Sequence, residues 1–152
     1  GSGWDITLEA SSDLHGVDGL TVYGGNAEVE QFQNGSATNG DVEESVWGVK
    51  YAAGGLTVGY QVTDEETGNT SKTGYENTAY GITFNVNDDL SVGYNHTDSN
   101  QEGGSNDAEA DSLQAAYTMG GATFRIAQVN VDNQTYGTVD YKSTIVSLGL
   151  AF

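Results

Sequence analysis

Hydrophobic and polar residues alternate over most of this chain, and the alternation predicts strands rather than helices. Successive side chains of a strand point to opposite faces, so a period of two indicates one apolar and one polar face. Nine segments have this period. The predicted strands are Trp4–Ala10, Leu20–Glu30, Ser45–Ala53, Leu56–Thr63, Thr78–Val86, Leu90–His96, Ser112–Met119, Ala122–Val129 and Tyr141–Phe152.

The two faces differ in the size of their side chains. One carries large apolar groups, such as Trp47, Val49 and Tyr51. The other carries Gly48, Lys50, Gly59, Gln61, Gly81, Asn85, Gly93, Asn95, Gln114, Thr118, Arg125 and Gly149. So many glycines would weaken the solvent face of a soluble sandwich. A barrel in lipid instead turns apolar side chains outward and small or polar ones inward. The pattern predicts an all-β fold, a transmembrane antiparallel β-barrel forming a single domain over residues 1–152.

Two details refine this prediction. Five tyrosines are expected near strand ends, at the level of the lipid headgroups. They are Tyr51, Tyr60, Tyr80, Tyr94 and Tyr117. In the second strand the apolar parity changes after Gly24-Gly25, which predicts a bulge that shifts the register by one residue.

The predicted connections alternate between short and long. The tight turns are 53–55, 87–89 and 120–121, and the long polar loops are 31–44, 64–77, 97–111 and 130–140. The predicted loops hold most of the carboxylates, including Asp41, Glu43, Glu44, Asp64, Glu65, Glu66, Glu102, Asp107, Glu109 and Asp111. Outer-membrane barrels have short periplasmic turns and longer extracellular loops. The segment 11–19 is then a decorated periplasmic turn, and the C-terminus is periplasmic.

The last strand ends on an aromatic residue, as the closing strand of an outer-membrane barrel often does. Val146, Leu148, Leu150 and Phe152 share one parity and form the predicted C-terminal signature for barrel assembly.

An odd strand count does not suit a complete bacterial barrel, whose strand number is even. Two interpretations remain. Either an odd number of upstream strands belongs to the same barrel, or Trp4–Ala10 is not a barrel strand and the other eight close by themselves. The second interpretation fits less well, because small inward residues fill a narrow barrel poorly.

Composition excludes several classes of protein. The 152 residues carry 22 acidic and 4 basic side chains, a net charge of −18, so no basic patch for nucleic acid can form. With no cysteine and two histidines, a zinc or iron–sulfur site is not expected. No apolar run reaches the length of about 18 residues that a transmembrane helix needs.

Four stretches resemble the alphaproteobacterial, Rhodobacter-type outer-membrane porins, specifically their C-terminal part. They are residues 55–60 (GLTVGY), 80–94 (YGITFNVNDDLSVGY), 115–121 (AAYTMGG) and 148–152 (LGLAF). The resemblance implies the last nine strands of a sixteen-stranded, trimeric barrel that passes small hydrophilic solutes. It also implies a location in the outer membrane, with lipid, lipopolysaccharide and the barrel-assembly machinery as partners.

Five residues are predicted to line the pore: Lys50, Gln61, Asn95, Gln114 and Arg125. Lys50 and Arg125 are cations at inward parity, and the resemblance suggests that they face an acidic constriction loop. That loop has no counterpart in this sequence. The alternative for either cation is a lumen residue without a special role.

Other candidate sites are weaker. Asp64, Glu65 and Glu66, or Asp41 with Glu43 and Glu44, offer oxygen ligands for surface Ca²⁺, but the spacing and glycine of a calcium loop are missing. A solvated acidic rim is the better interpretation, and no other cofactor is expected. His15 and His96 have no suitably spaced nucleophile, so an enzyme is not expected.

The leading functional hypothesis is therefore passive diffusion of small hydrophilic solutes and ions through a water-filled outer-membrane channel. The first alternative is a small eight-stranded barrel that acts as an adhesin or membrane anchor through acidic extracellular loops. A third class is a soluble, acid-rich sandwich used for binding.

Overall fold

The computed structural model describes residues 2–30, 40–68 and 74–151 and is all-β. Nine strands form one antiparallel sheet, in which each strand pairs with its neighbours in sequence. They are β1 (Gly3–Ala10), β2 (Leu20–Val29), β3 (Val42–Ala53), β4 (Leu56–Glu66), β5 (Tyr75–Asn85), β6 (Leu90–Gln101), β7 (Ala108–Met119), β8 (Ala122–Asp132) and β9 (Tyr141–Leu150). One turn of α-helix, α1 (Ser12–His15), and a 3-10 helix (Gln134–Tyr136) lie in connections. The nine predicted strands are confirmed.

The described part of the sheet has two edges. No backbone pairing joins β1 to β9 among the described residues. Because direction alternates along the sheet, these first and last strands run the same way. No helix within the described residues is long and apolar enough to cross a membrane.

Turn chemistry explains the short connections at one end of the sheet, called the turn end below. Gly54 and Gly55 both have positive φ, 57° and 83°, as a two-residue hairpin of the I′ kind requires. In the β5–β6 turn, Asn87 Oδ1 instead accepts the backbone N–H groups of Asp89 (2.9 Å) and Leu90 (2.8 Å). The opposite end, where β2–β3, β4–β5, β6–β7 and β8–β9 connect, is called the loop end.

The strands reach further toward the loop end than the hydrophobic alternation predicted. For example, β4 continues to Glu66, and β5 begins at Tyr75. Near the loop end both faces of these strands are polar, but backbone pairing continues there. The hydrophobic alternation therefore ends before the strands do. The prediction that most carboxylates lie in loops is therefore wrong for Glu43, Glu44, Asp64, Glu65, Glu66, Glu109 and Asp111, which lie on strands.

The bulge predicted at Gly24-Gly25 is also wrong. Gly24 pairs with Leu8 and Trp47, and the register continues without interruption along β2. The apolar parity changes because, near the loop end, Ala27 and Val29 lie on the polar face while Asn26 and Glu28 lie on the apolar face. The change reflects a different environment along one regular strand.

The register gives the whole sheet two continuous faces. The apolar face is the side of Trp47, Val49 and Tyr51, and the polar face is the side of Gly48 and Lys50. No hydrophobic side chain in the described residues is buried: Trp4 is 52% exposed, Leu8 72% and Ile82 44%. Nothing in the described part of the chain covers the apolar face.

The apolar face is divided into a band and an acidic margin. On β4, the band runs from Leu56 to Val62, about 20 Å along the strand. Asp64 and Glu66 follow on the same face toward the loop end. The boundary between band and margin therefore lies within the strands.

Aromatic side chains mark both borders of this band. Tyr51 and Tyr117 lie near the turn end. Tyr60, Tyr80 and Tyr94 lie in the middle of their strands, which corrects the prediction that these three are at strand ends. They form a row on the loop side of the band, since Tyr60 pairs with Tyr80 and the rings of Tyr80 and Tyr94 are 6.4 Å apart.

Candidate functional site

The five predicted pore-lining residues all lie on the polar face. Each is placed there by its strand register, and the five are Lys50, Gln61, Asn95, Gln114 and Arg125. The structure thus brings them to one surface, although they come from five different strands. Their role in a pore stays a prediction.

Lys50 belongs to a row of paired residues on the polar face, and the two residues at the centre of this row are glycines. It pairs with Gly59, which pairs with Gly81, which pairs with Asn95. Because the two glycines have no side chain, the backbone forms the floor of a groove of about 520 Å³. Lys50 makes no ion pair within the described residues, so its ammonium group is available at one wall of the groove.

Tyr23 crosses this face and bridges two strands that are not neighbours. From β2 its ring lies over Gly48 on β3, and its hydroxyl donates to Gln61 Oε1 on β4 at 2.8 Å. A Cβ at Gly48 would overlap the Tyr23 ring. The glycine is therefore required for the ring to lie flat on the sheet.

Amide side chains continue the polar surface from β6 to β7. Gln114 Nε2 donates to Asn95 Oδ1 at 3.0 Å. Asn95 Oδ1 accepts this hydrogen bond. The other end of the amide, the Nδ2 donor, makes no hydrogen bond within the described residues. The centre of the polar face thus presents neutral donors beside one lysine.

Arg125 lies nearer the turn end, between Ala116 and Ser147 on the neighbouring strands. It lines a second groove, of about 330 Å³, together with Gln114 and Ser147. Like Lys50, it has no carboxylate partner in the described part of the chain.

Most acidic side chains of the polar face lie toward the loop end. Glu44 and Glu65 are directly opposite each other, and Asp5 lies in the same row of pairs on β1. Lys50 and Arg125 lie closer to the turn end. This face is therefore negative at the loop end, whereas nearer the turn end it carries Lys50 and Arg125 together with Glu9 of β1.

Long contacts on the polar face indicate the direction in which the sheet curves. Tyr23 and Gln61 are separated by β3, and Tyr136 and Ser99 are separated by β7. Contacts on the apolar face join adjacent strands, as between Trp47 and Tyr60. Side chains converge on the concave side of a curved sheet, so these contacts are the ones expected of a sheet that curves toward its polar face.

The weak calcium candidates of β4 do not converge. Asp64 and Glu66 lie on the apolar side and Glu65 on the polar side, as strand alternation requires. The described residues include no cluster of three or more acidic or histidine side chains suited to a metal ion. Surface Ca²⁺ binding stays an untested prediction.

A polar cluster on the apolar face was not found from the sequence. Asp111 Oδ1 accepts the Tyr94 hydroxyl and lies 2.9 Å from His96 Nδ1, and the Tyr80 ring stacks on His96 at 5.0 Å. The cluster sits where the apolar band meets the acidic margin. It contains no serine or cysteine, and only the register of β6 against β7 would have revealed it.

The structure describes three of the four residues of the predicted assembly signature. Val146, Leu148 and Leu150 lie on the apolar face of β9 and are 58%, 65% and 56% exposed. Phe152 lies outside the described residues, and the role of the signature in assembly stays a prediction.

No protein-family model matches the chain, and no curated protein matches it either.

Proposed function

We propose that this chain forms the wall of a water-filled outer-membrane channel for passive diffusion of small hydrophilic solutes and ions. One observation carries the proposal: the apolar face of the sheet is large and uncovered, and the opposite face consists of glycine, amide and hydroxyl groups. A soluble sheet has the reverse arrangement, with its apolar face covered. Lipid is the occupant that fits the first face, and water the second.

The extent of the apolar face supports lipid rather than water. Soluble monomers rarely expose a continuous apolar patch beyond a few hundred Å², yet here the patch extends from Leu8 on β1 to Leu148 on β9. Covering one large apolar side chain contributes about 1.5–3 kcal/mol. A soluble sandwich would need a second layer over the whole band.

The acidic margin supports an orientation. Glu28, Glu43 and Glu66 lie in one row of pairs on the apolar side, above the band. Ionised carboxylates are costly within hydrocarbon, so the membrane boundary falls below them. The loop end is then extracellular, and the turn end, with Leu150, is periplasmic.

A finer proposal follows from strand direction. Because β1 and β9 run the same way, an odd number of additional antiparallel strands between them restores an even-stranded barrel. We propose that the nine strands are the last nine of sixteen, in a homotrimer assembled by the barrel-assembly machinery among lipid and lipopolysaccharide. The mass of the mature polypeptide extracted from the outer membrane tests the strand number.

The eight-stranded adhesin or anchor requires β1 to lie outside the barrel wall. However, β1 pairs with β2 at eight consecutive positions, from Gly3 to Ala10. The glycine-rich polar face is also poorly suited to filling a narrow barrel. Both observations favour the channel.

Planar-bilayer recording of the intact protein tests the channel. We expect stable conductance steps that appear in groups of three, as a trimer requires. A protein that inserts into the bilayer without conducting supports the adhesin or anchor. One that remains in solution without detergent contradicts the membrane proposal.

Replacing a cation tests which face of the sheet lines the water-filled lumen. We expect Arg125→Gln to shift the reversal potential in a salt gradient toward cation selectivity, because it removes a positive charge from the polar face. Lys142→Gln is the matched control, since Lys142 pairs with Asn130 on the opposite face. Equal shifts for the two variants would contradict the assignment of the lumen.

A further inference from the structure

The β8–β9 connection has an unusual backbone. Asn133, Thr135 and Tyr136 all have left-handed φ values, between 52° and 59°, although none is glycine. Residues other than glycine adopt left-handed φ values only at a cost in conformational energy. Three such residues within four positions must therefore be held by contacts elsewhere.

Those contacts tie the connection to itself and to the β6–β7 loop. Gln134 N donates to Val139 O at 2.8 Å, which closes the turn. Asn106 Nδ2 donates to Gly137 O at 2.9 Å, and Asn133 Nδ2 donates to Asp107 O at 3.0 Å. The connection is thus fastened across the loop end of β7.

Tyr136 extends this reach over the polar face. Its hydroxyl is 2.8 Å from Ser99 Oγ on β6, and its ring lies 5.7 Å from that of Tyr75 on β5. Strands are about 4.8 Å apart, so the side chain lies some 10–14 Å, across the sheet, from the strand that precedes it. Both of its partners belong to the polar face.

A polar chain continues beneath Tyr136. Ser99 Oγ donates to Asn77 Oδ1, and Asn77 Nδ2 donates to Thr63 Oγ1 at 3.2 Å on β4. Gln101 Nε2 donates to the Tyr75 hydroxyl at 3.0 Å. These contacts are uncharged, so the covered part of the polar face restricts space without adding charge.

We infer that the β8–β9 connection folds inward and narrows the channel at its extracellular mouth, with Tyr136 as a residue that determines the size of solute admitted. The inference rests on the proposed channel function. It assigns size discrimination to Tyr136 and leaves charge discrimination to Lys50 and Arg125.

Conductance of the intact protein in planar bilayers tests this inference. Tyr136→Ala should raise the single-channel conductance roughly 1.5-fold, because pore dimensions set the flow. It should also admit larger neutral polyethylene glycols, while the reversal potential stays unchanged because no charge is lost. Val139→Ala is the control: it lies in the same connection, and its side chain is 62% exposed. It should leave both quantities unchanged.

A second measurement covers the case in which Tyr136→Ala does not fold. The chain has no cysteine, so Thr138→Cys gives one reactive thiol beside Tyr136. A water-soluble methanethiosulfonate reagent should then reduce the current, whereas the same label on Asp88→Cys, in the β5–β6 turn, should not. In a conducting protein, an unchanged size limit in Tyr136→Ala, or no block at Thr138→Cys where Tyr136→Ala does not fold, overturns the constriction alone. A wild type that does not conduct overturns the channel, and this inference with it.

Discussion

Ile82→Arg should strongly destabilise the protein in lipid vesicles. Ile82 is in the middle of the apolar band, where it pairs with Val58 and Tyr94. An arginine on the lipid side of a barrel near the bilayer midplane costs about 2–4 kcal/mol. Urea titration of the protein in vesicles, followed by tryptophan fluorescence, measures the change in unfolding free energy.

Thr83→Arg is the matched control for this prediction. Thr83 is the next residue of β5 and lies on the polar face, so its arginine would point into water. We expect a change in unfolding free energy within about 0.5 kcal/mol, the usual range for a surface substitution. If the two variants lose the same stability, the apolar face does not contact lipid.

Gly48→Ala should destabilise the sheet by about 1–3 kcal/mol, as overpacking does in other tightly packed sites. The new methyl group would displace the Tyr23 ring, and the hydrogen bond from Tyr23 to Gln61 would be lost with it. The same vesicle titration measures this effect. Gly59→Ala is the control, since its nearest neighbour would be Val49 O at 3.8 Å, an ordinary contact.

A double-mutant cycle separates the clash from any general intolerance of β3. Once Tyr23→Ala has removed the ring, adding Gly48→Ala should cost much less than it does in the wild type, because the space above the glycine is then open. A coupling free energy near zero would show that Tyr23 and Gly48 do not act together.

These two predictions depend on the sequence to different degrees. The position of Ile82 on the apolar face follows from alternation alone, because tight turns such as Gly54-Gly55 pass the register from one strand to the next. The Tyr23–Gly48–Gln61 bridge does not follow from alternation. It requires knowing that the ring turns sideways across β3 rather than standing upright on β2.

The loop end was predicted least well, for a physical reason. Hydropathy reports which side chains avoid water, and Glu44 and Glu65 do not, although their backbones pair in a regular ladder. The same limit hid the cluster of His96 with Asp111, since Asp111 lies just before the predicted start of its strand at Ser112 and was not paired with His96. In both cases the hydrogen bonds of the backbone hold the strands in register, and these bonds leave no mark on the pattern of side chains.

The sequence by itself determined the number of strands, the turns at one end and the face on which Lys50 and Arg125 lie. Period two and turn chemistry are local properties, so neighbouring residues suffice to define them. Only the tertiary structure decided where the strands end, that β2 is regular through Gly24, and that Tyr136 reaches Ser99 across β7. These features arise from contacts between residues far apart in the chain, where backbone pairing and side-chain reach, rather than hydrophobic alternation, determine the arrangement.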